Sequence, residues 1–453
     1  MVSHELTRRD FMRRTAVGLT GLGFFVNGRW VPLAASEVMP KPAAPADRVN
    51  VGFIGFGIRG NILLEAARQT GQANLVVACD CYQGHLDRAK ERTEGKIETN
   101  FAQYPKVLER KDVDAVVIAT PDHWHLRMAL EALAAGKDIY IEKPMTYRWE
   151  DGAQIIEAAR RFKRVVQVGS QGRSSPLQKE AREIVQSGQI GRVTKIVASY
   201  NRNSSTGSWN YPVPPDLANG VNFNWEEWLG PAPKRPYDPE RVFRYRKYWD
   251  YSGGISTDLF VHLITSIHFI MDAKMPSSVV SAGGIFYRKD GREVPDTLDT
   301  LLDYPEEFQV NMGSTFNNAS TPEQGMQFLG AKGSLTLLGS NMSVGTENPR
   351  EGYGYSIDSW PQKLQEEFMA RDDHRQEANP PLRLEGNVVY RAEGGDATAL
   401  HLAEFFGCVR ARRECSENAE VGNRAAIAGH MVNLSYRTGK KIFWDEATAT
   451  VKS

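Results

Sequence analysis

The chain has 453 residues, enough for two domains and a sizeable core. Lys+Arg and Asp+Glu balance at 55 each, so no net field recruits nucleic acid or an anionic membrane. The four cysteines, Cys79, Cys81, Cys408 and Cys415, have no spacing that defines a disulfide framework; Cys79 reads as a small buried hydrophobe and Cys81 as a surface thiol.

Residues 1–47 read as lying outside the fold. Thr7-Arg8-Arg9-Asp10-Phe11-Met12 has the form of a twin-arginine export signal. The mildly apolar, Gly-rich stretch behind it, residues 15–26, is too short and too weak to span a membrane. A Pro/Ala-rich tract runs on to Asp47, with cleavage expected after Ala35 or at Ala44-Pro45-Ala46. That route delivers folded proteins to the periplasm, free of the membrane. Anything the protein needs that this compartment lacks would have to be loaded in the cytoplasm, held tightly and recycled in place.

Residues 51–54 form a β-rich run that ends in Gly55-x-Gly57-x-x-Gly60 and passes into a helix predicted over 62–69. In a dinucleotide fold Gly55 allows the tight turn, Gly57 lets the backbone approach a pyrophosphate, and Gly60 lets helix and strand pack closely. Ile58 and Arg59 lie inside this cradle, at a helix N-terminus suited to phosphate. A second strand, 74–79, ends in Asp80, about twenty residues on, where a carboxylate accepts both ribose hydroxyls. No cation directly follows Asp80, which favours NAD over NADP.

The alternation continues. Residues 112–120 read as a buried parallel strand, 126–135 as an amphipathic helix, 137–141 as a strand and 165–169 as another. Thr146 is the expected N-cap of a helix reaching Arg161. This is the pattern of a doubly wound parallel sheet, with ligands at the carboxyl ends of its strands. From about Ile190 the segments 193–200, 278–287, 297–304, 308–316 and 326–338 read as a mostly antiparallel, open sheet. Residues 204–250 are rich in Pro, Trp and Tyr without periodicity, as expected of a functional loop or an assembly arm. Residues 340–396 read as irregular surface, and helices are predicted over 399–412 and 422–438. The expected organisation is therefore a signal and linker (1–47), a nucleotide-binding domain (48–170), an α/β substrate and oligomerisation domain (171–440) and a tail (441–453).

Three further pieces carry chemistry. Lys143, in Glu142-Lys143-Pro144, stands at a strand's carboxyl end, where its amine can stabilise or accept charge on a hydroxyl oxygen. Gly253-Gly254 precedes a helix predicted from Asp258 to about Met271. The glycines allow close approach to a ligand, and Asp258 and His262 share a face at four-residue spacing. An imidazole there suits proton transfer, with the carboxylate orienting it or binding beside it, whereas His268 reads as a satisfied core histidine. His123-Trp124-His125 lacks a partner ligand set and reads as cofactor-side packing, with no metal expected. Trp209, Tyr211, Tyr245, Arg246, Tyr248 and Trp249 are stacking or core candidates, and Arg173 and Asn201–Asn203 are further substrate candidates.

Together these motifs resemble the Gfo/Idh/MocA family, the glucose–fructose oxidoreductase and inositol dehydrogenase group, over residues 49 to about 440. The resemblance implies a Rossmann domain followed by an open-faced α/β domain, and hydride chemistry at a sugar or cyclitol carbon. It assigns Lys143, Asp258 and His262 to catalysis. Thr120, Pro121, His125 and Glu142 fall in segments lining the nicotinamide, and Arg59 matches an arginine near the pyrophosphate in exported members. Pro144 would often be cis, and homodimers or homotetramers through the open sheet are usual. The expected activity is NAD-dependent hydride transfer to or from a sugar, sugar derivative or polyol. The alternative is redox-neutral glycoside cleavage through transient oxidation of the sugar; a non-catalytic nucleotide sensor is the third reading.

Overall fold

The computed structural model describes residues 23–26, 29–32, 40–320, 325–347, 354–378, 388–393 and 396–453. Six parallel strands form the first sheet, in the order Glu98–Phe101, Ala73–Asp80, Val49–Ile54, Ala115–Ile118, Asp138–Glu142 and Val166–Gly169. The strand order reverses between Val49–Ile54 and Ala115–Ile118, which opens a crevice at the carboxyl ends. These strands are near-continuously apolar because helices cover both faces. One of those helices, Ala397–Ala411, comes from far along the chain. Its Leu402, Phe405 and Phe406 join the core around Val51, Phe53 and Leu63.

The second sheet has twelve strands, centred on Ser278–Gly284, Thr297–Tyr304, Phe308–Thr315, Val193–Ser199, Gly325–Gly330 and Gly333–Leu338. Its pairs are antiparallel except Phe308–Thr315 with Val193–Ser199. Burial alternates strictly along Phe308–Thr315, so one face is packed and the other open. The packed face lies under the helices Pro176–Gln186, Val261–Met271 and Ala419–Thr438. The observed fold class is the one expected: a doubly wound Rossmann sheet followed by an α/β unit with an open, mostly antiparallel sheet.

Several local expectations need correction. The run 326–338 is a hairpin, because Ala331 and Lys332 turn back on Arg192 and Ile190. Thr146 caps no helix: the chain bends through residues 143–148, a 3₁₀ turn spans Trp149–Asp151, and the helix is Gly152–Phe162, pressed so closely on Asn423 that a Cβ at Gly152 would stand 1.8 Å from it. Residues 340–396 include the strands Asn341–Thr346 and Val388–Glu393. The expectation that residues 1–47 lie outside the fold fails for one segment. Gly23–Val26 and Arg29–Pro32 form a hairpin on the exposed edge of Val388–Glu393, whose free backbone groups accept any extended segment. The twin-arginine motif lies outside the described residues.

Residues 204–250 are not a bare loop. Asn224 and Asp238 cap the short helices Trp225–Leu229 and Pro239–Phe243, and Phe223, Trp225, Trp228, Tyr248 and Tyr251 form a separate aromatic core with Tyr82. This strap lies over the crevice. Tyr82 Oη donates to Asp216 Oδ1 (2.5 Å), Gln83 N to Asn222 O (2.8 Å) and Trp124 Nε1 to Trp228 O (2.8 Å), while Cys81 O accepts from Asn224 N (2.9 Å).

Candidate active site

The crevice holds a cavity of about 360 Å³ lined by Gly55, Gly57, Ile58, Arg59, Asp80, Thr120 and Pro121 on the Rossmann side. Gly55 has φ +85°, and a Cβ there would come within 2.7 Å of Ala119 O; one at Gly60 would meet Gly55 O at 2.4 Å. Neither position admits a side chain. Gly57 precedes the first turn of the helix Ile58–Thr70, whose N-terminus faces the cavity. Asp80 accepts from Phe56 N (2.6 Å) and Tyr82 N (2.9 Å), with His85 Nδ1 at 3.1 Å. Burial pushes its carboxyl up, but His85 and the two amides outweigh that and hold it below the usual range. Thr120, which lines this cavity, has its Oγ1 buried without a partner among the described residues. Glycine cradle, helix terminus, strand-end acid and this hydroxyl together fit a dinucleotide. Tyr211, Phe223, Val242, Phe243 and Tyr245 of the strap close the far wall. Cys81 also lines the cavity and is not a surface thiol; burial raises its pKa well above the usual thiol range.

A second cavity of about 180 Å³ adjoins the first and shares Arg59, Ala119, Thr120, Tyr211, Tyr245 and Arg246 with it. Lys143, Asp258 and His262 come together here. Lys143 follows directly on the strand Asp138–Glu142, and its peptide bond to Pro144 is cis. Its Nζ donates to Asp258 Oδ1 (2.8 Å) and to Asp258 O (2.6 Å). Asp258 Oδ1 also accepts from Arg246 Nε (3.0 Å) and Oδ2 from Trp209 Nε1 (3.2 Å). Burial raises the Asp258 carboxyl, but Arg246 and Lys143 dominate and drive it well below its ordinary value. His262 is held well below the usual imidazole range, first by burial and then by the Lys143 charge, so it stays neutral and able to accept a proton.

The helix here starts earlier than expected. Asp258 sits in a π-helical turn, Ser256–Phe260, which leads into Val261–Met271. The two preceding glycines serve packing rather than a ligand. Gly253 O accepts from Asn433 Nδ2 (2.8 Å), and Gly254, at φ +60°, leaves no room for a Cβ against Val294.

The remaining sequence-chosen residues divide. Glu142 Oε1 accepts from Arg59 Nε (2.7 Å) and Gln171 Nε2 (2.9 Å), so the arginine expected near a pyrophosphate is turned onto the strand-end acid. His125 Nδ1 lies 2.7 Å from Pro144 O and its Nε2 3.1 Å from Thr120 O, which sets the ring between two strand-end loops. His123 packs against Trp228 and Tyr251, and His268 meets Tyr304 Oη at 2.9 Å as a core histidine. Arg173, Tyr248 and Trp249 do not reach the cleft. Arg173 lies on the Phe269 ring (4.6 Å), Tyr248 under Arg241 (4.1 Å), and Trp249 beside Arg437 (5.2 Å) with its Nε1 donating to Glu293 O. Asp122 and Gln171 line it instead, together with Arg202, which falls within the expected Asn201–Asn203 segment. Asp122 directly follows Pro121 at a strand's carboxyl end, a position that could have marked it.

Residues 49–170 match the Gfo/Idh/MocA oxidoreductase-family model for the NAD-binding Rossmann fold, and residues 177–283 match the family's C-terminal alpha/beta domain. Together the two matches span about half of the chain. It belongs to the Gfo/Idh/MocA oxidoreductase family. Curated members of similar sequence include a glycosyl hydrolase family 109 protein of Shewanella baltica, 34% identical over 175 residues, which are 35% of this chain and 38% of that one. An alpha-N-acetylgalactosaminidase of Shewanella oneidensis is 30% identical over 235 residues, 46% of this chain and 50% of its own. The chain thus spans half or less of the length of these relatives. Among solved structures, a levoglucosan dehydrogenase complexed with NADH and levoglucosan has a TM-score of 0.63 at 18% identity, covering 87% of this chain and 99% of its own. The WlbA dehydrogenase of Bordetella pertussis, with NADH and UDP-GlcNAcA, has a TM-score of 0.63 at 18% identity, over 89% and 99%. These likenesses establish the shared fold.

Proposed function

We propose that this family member is an NAD-dependent oxidoreductase acting on a CH–OH group of a sugar, sugar derivative or polyol. One observation carries the reading: Lys143 Nζ, fixed by two acceptors of Asp258, stands with neutral His262 in a cleft that opens into the dinucleotide cavity. An ammonium has three donor positions, and with two engaged the third is available to a substrate oxygen. His262 then takes the hydroxyl proton while Lys143 stabilises charge on that oxygen. Asp258 positions Lys143 and Arg246. Gly55, Gly57, Ile58, Gly60 and the backbone of Arg59 would cradle the pyrophosphate, Asp80 the ribose, and Thr120, Pro121, His125 and Glu142 the nicotinamide side, with the Arg59 guanidinium held on Glu142. A bound nicotinamide would accept hydride from the substrate carbon. Asp80 at the end of its strand favours NAD over NADP. The test is to extract and identify the nucleotide of the purified protein, then screen it on sugars and glycosides. Absence of any pyridine nucleotide and of affinity for one would end the reading.

A second reading, redox-neutral glycoside cleavage, draws on the strap across the adenosine end of the cavity and on the names of the curated relatives. Nucleotide enclosed this way suits a cycle that returns the hydride to its substrate. Release of free sugar without net change in nicotinamide absorbance would select it. Export by the twin-arginine route to the periplasm belongs to the same proposal, and Arg8→Lys with Arg9→Lys should retain the protein in the cytoplasm. So does assembly as a homodimer or homotetramer through the open face of the large sheet, where Val197, Val280 and Leu301 are exposed. Light scattering of the purified protein would test it.

A further inference from the structure

The larger cavity is lined by two arginines, Arg59 and Arg246, and each is engaged by an acid: Glu142 at 2.7 Å and Asp258 at 3.0 Å. What remains for a phosphate is the helix terminus at Gly57, with its backbone N–H groups and dipole. Asp80 accepts from Phe56 N, between Gly55 and Gly57, so its carboxylate stands beside that terminus. A pyrophosphate bound there would lie close to a like charge, which costs affinity unless a donor comes between them.

His85 stands at this point. It belongs to the helix Gln83–Arg92, lines the same cavity and keeps 28% of its side chain exposed. Its Nδ1 lies 3.1 Å from Asp80 Oδ1, and its Cε1 would be 3.7 Å from a Cβ on Gly57, so the ring crosses from the strand-end acid to the glycine cradle. Tyr82 packs edge-on to it at 5.0 Å and Phe243 of the strap at 6.1 Å, which sets the plane of the ring. An acceptor-only carboxylate oxygen beside Nδ1 calls for hydrogen on that nitrogen. Nε2, bonded to the Cε1 that faces Gly57, meets no partner among the described residues. Burial pulls the imidazole down, but the Asp80 charge outweighs it and holds the ring above its ordinary range, which favours hydrogen on both nitrogens. We propose that His85 is a further nucleotide-binding residue, whose Nε2–H donates to a phosphate oxygen of the dinucleotide while Nδ1–H faces Asp80. The imidazole then screens the pyrophosphate from the Asp80 carboxylate and leaves that acid to the ribose hydroxyls. This role rests on the dinucleotide reading above and adds to it a phosphate donor that the glycine fingerprint does not contain.

The test is calorimetric titration of the full chain, its own nucleotide removed on charcoal, with ADP-ribose and with adenosine. His85→Phe keeps a ring against Tyr82 and Phe243 and removes both nitrogens. It should weaken ADP-ribose by about ten-fold or more, as expected for loss of a charge-assisted hydrogen bond, and adenosine by less than about three-fold. His85→Gln, which offers an amide donor near the place of Nε2, should recover part of the loss, with thermal melts showing that each variant is folded. ADP-ribose bound by His85→Phe within about two-fold of the wild type overturns the proposal. So does equal weakening of ADP-ribose and adenosine, which would make His85 a prop for Asp80 alone. A wild type with no affinity for ADP-ribose or NAD would instead remove the dinucleotide reading, and this role with it.

Discussion

Two buried charge clusters sit near the carboxyl ends of neighbouring Rossmann strands, and they have opposite character. In the cleft, Asp258 receives Lys143, Arg246 and Trp209, and its carboxyl is driven well down. In the other, Glu417 is fully buried with Arg173 Nε at 3.5 Å, and neither carboxylate oxygen receives a well-formed hydrogen bond among the described residues. Burial pushes that carboxyl up to about 8, with Arg173 offsetting only part of the shift. Burial alone does not decide the charge of an acid; the number of donors aimed at it does. The Asp258 cluster opens into a cavity, whereas Arg173 spends its guanidinium face on Phe269.

The largest expected effect breaks the first cluster. Lys143→Ala should lower turnover by roughly 10²- to 10⁴-fold while the nucleotide stays bound, measured by steady-state kinetics and nucleotide content. Unchanged turnover would remove Lys143 from the mechanism. In the wild type, His262 lies well below the ordinary imidazole range, so a base at this position keeps accepting protons as pH falls through 6.5. The pH–rate profile should therefore have no acid limb near 6.5; a midpoint there would assign the base elsewhere.

The second cluster is sharpened through stability. The Glu417 carboxyl has a folded pKa of about 8, raised from an ordinary value near 4.5. The folded state thus binds its proton more tightly, contributing stability that is complete below pH 4.5 and lost as pH rises through 8. Glu417→Gln should gain on the wild type by on the order of a few kcal/mol between pH 5 and pH 9. Melting temperatures of both proteins across that range check it. A constant difference between them would show that the carboxyl is ionised throughout.

How much of this was legible in the sequence follows the same division. Gly55, Gly60 and Asp80 are fixed by backbone geometry that few other residues satisfy, so their spacing identified the Rossmann crevice. Lys143, Asp258 and His262 stand at element ends within compact motifs and line one cleft, a grouping that the family resemblance implied. Composition could not tell which aromatic or basic side chains turn inward. Tyr211, Tyr245 and Arg246 line the cleft, whereas Tyr248 and Trp249, a few residues on, pack against Arg241 and Arg437. Segment 204–250 has no period to report which face is buried, because its core is shared with Tyr82 of the other domain. The paired strands Gly23–Val26 and Arg29–Pro32 were missed for a related reason, since the strand they join lies more than 350 residues away.

The smallest effect concerns the strap, and it separates net oxidation from a cycle that keeps its nucleotide. Tyr82 is anchored to Asp216 by a 2.5 Å hydrogen bond and packs edge-on to Phe243 (6.0 Å), where both line the larger cavity with Asp80. Tyr82→Phe keeps the ring and removes only the hydroxyl, at a cost of about 1 kcal/mol. If opening of the strap limits nucleotide escape, dissociation should quicken by about five-fold, read as loss of nicotinamide fluorescence on dilution into excess competitor. Because the hydroxyl touches no part of the Lys143 cleft, single-turnover hydride transfer should be unaltered. An unchanged escape rate would mean that the strap is a static wall, and that retention depends on the glycine cradle and Asp80.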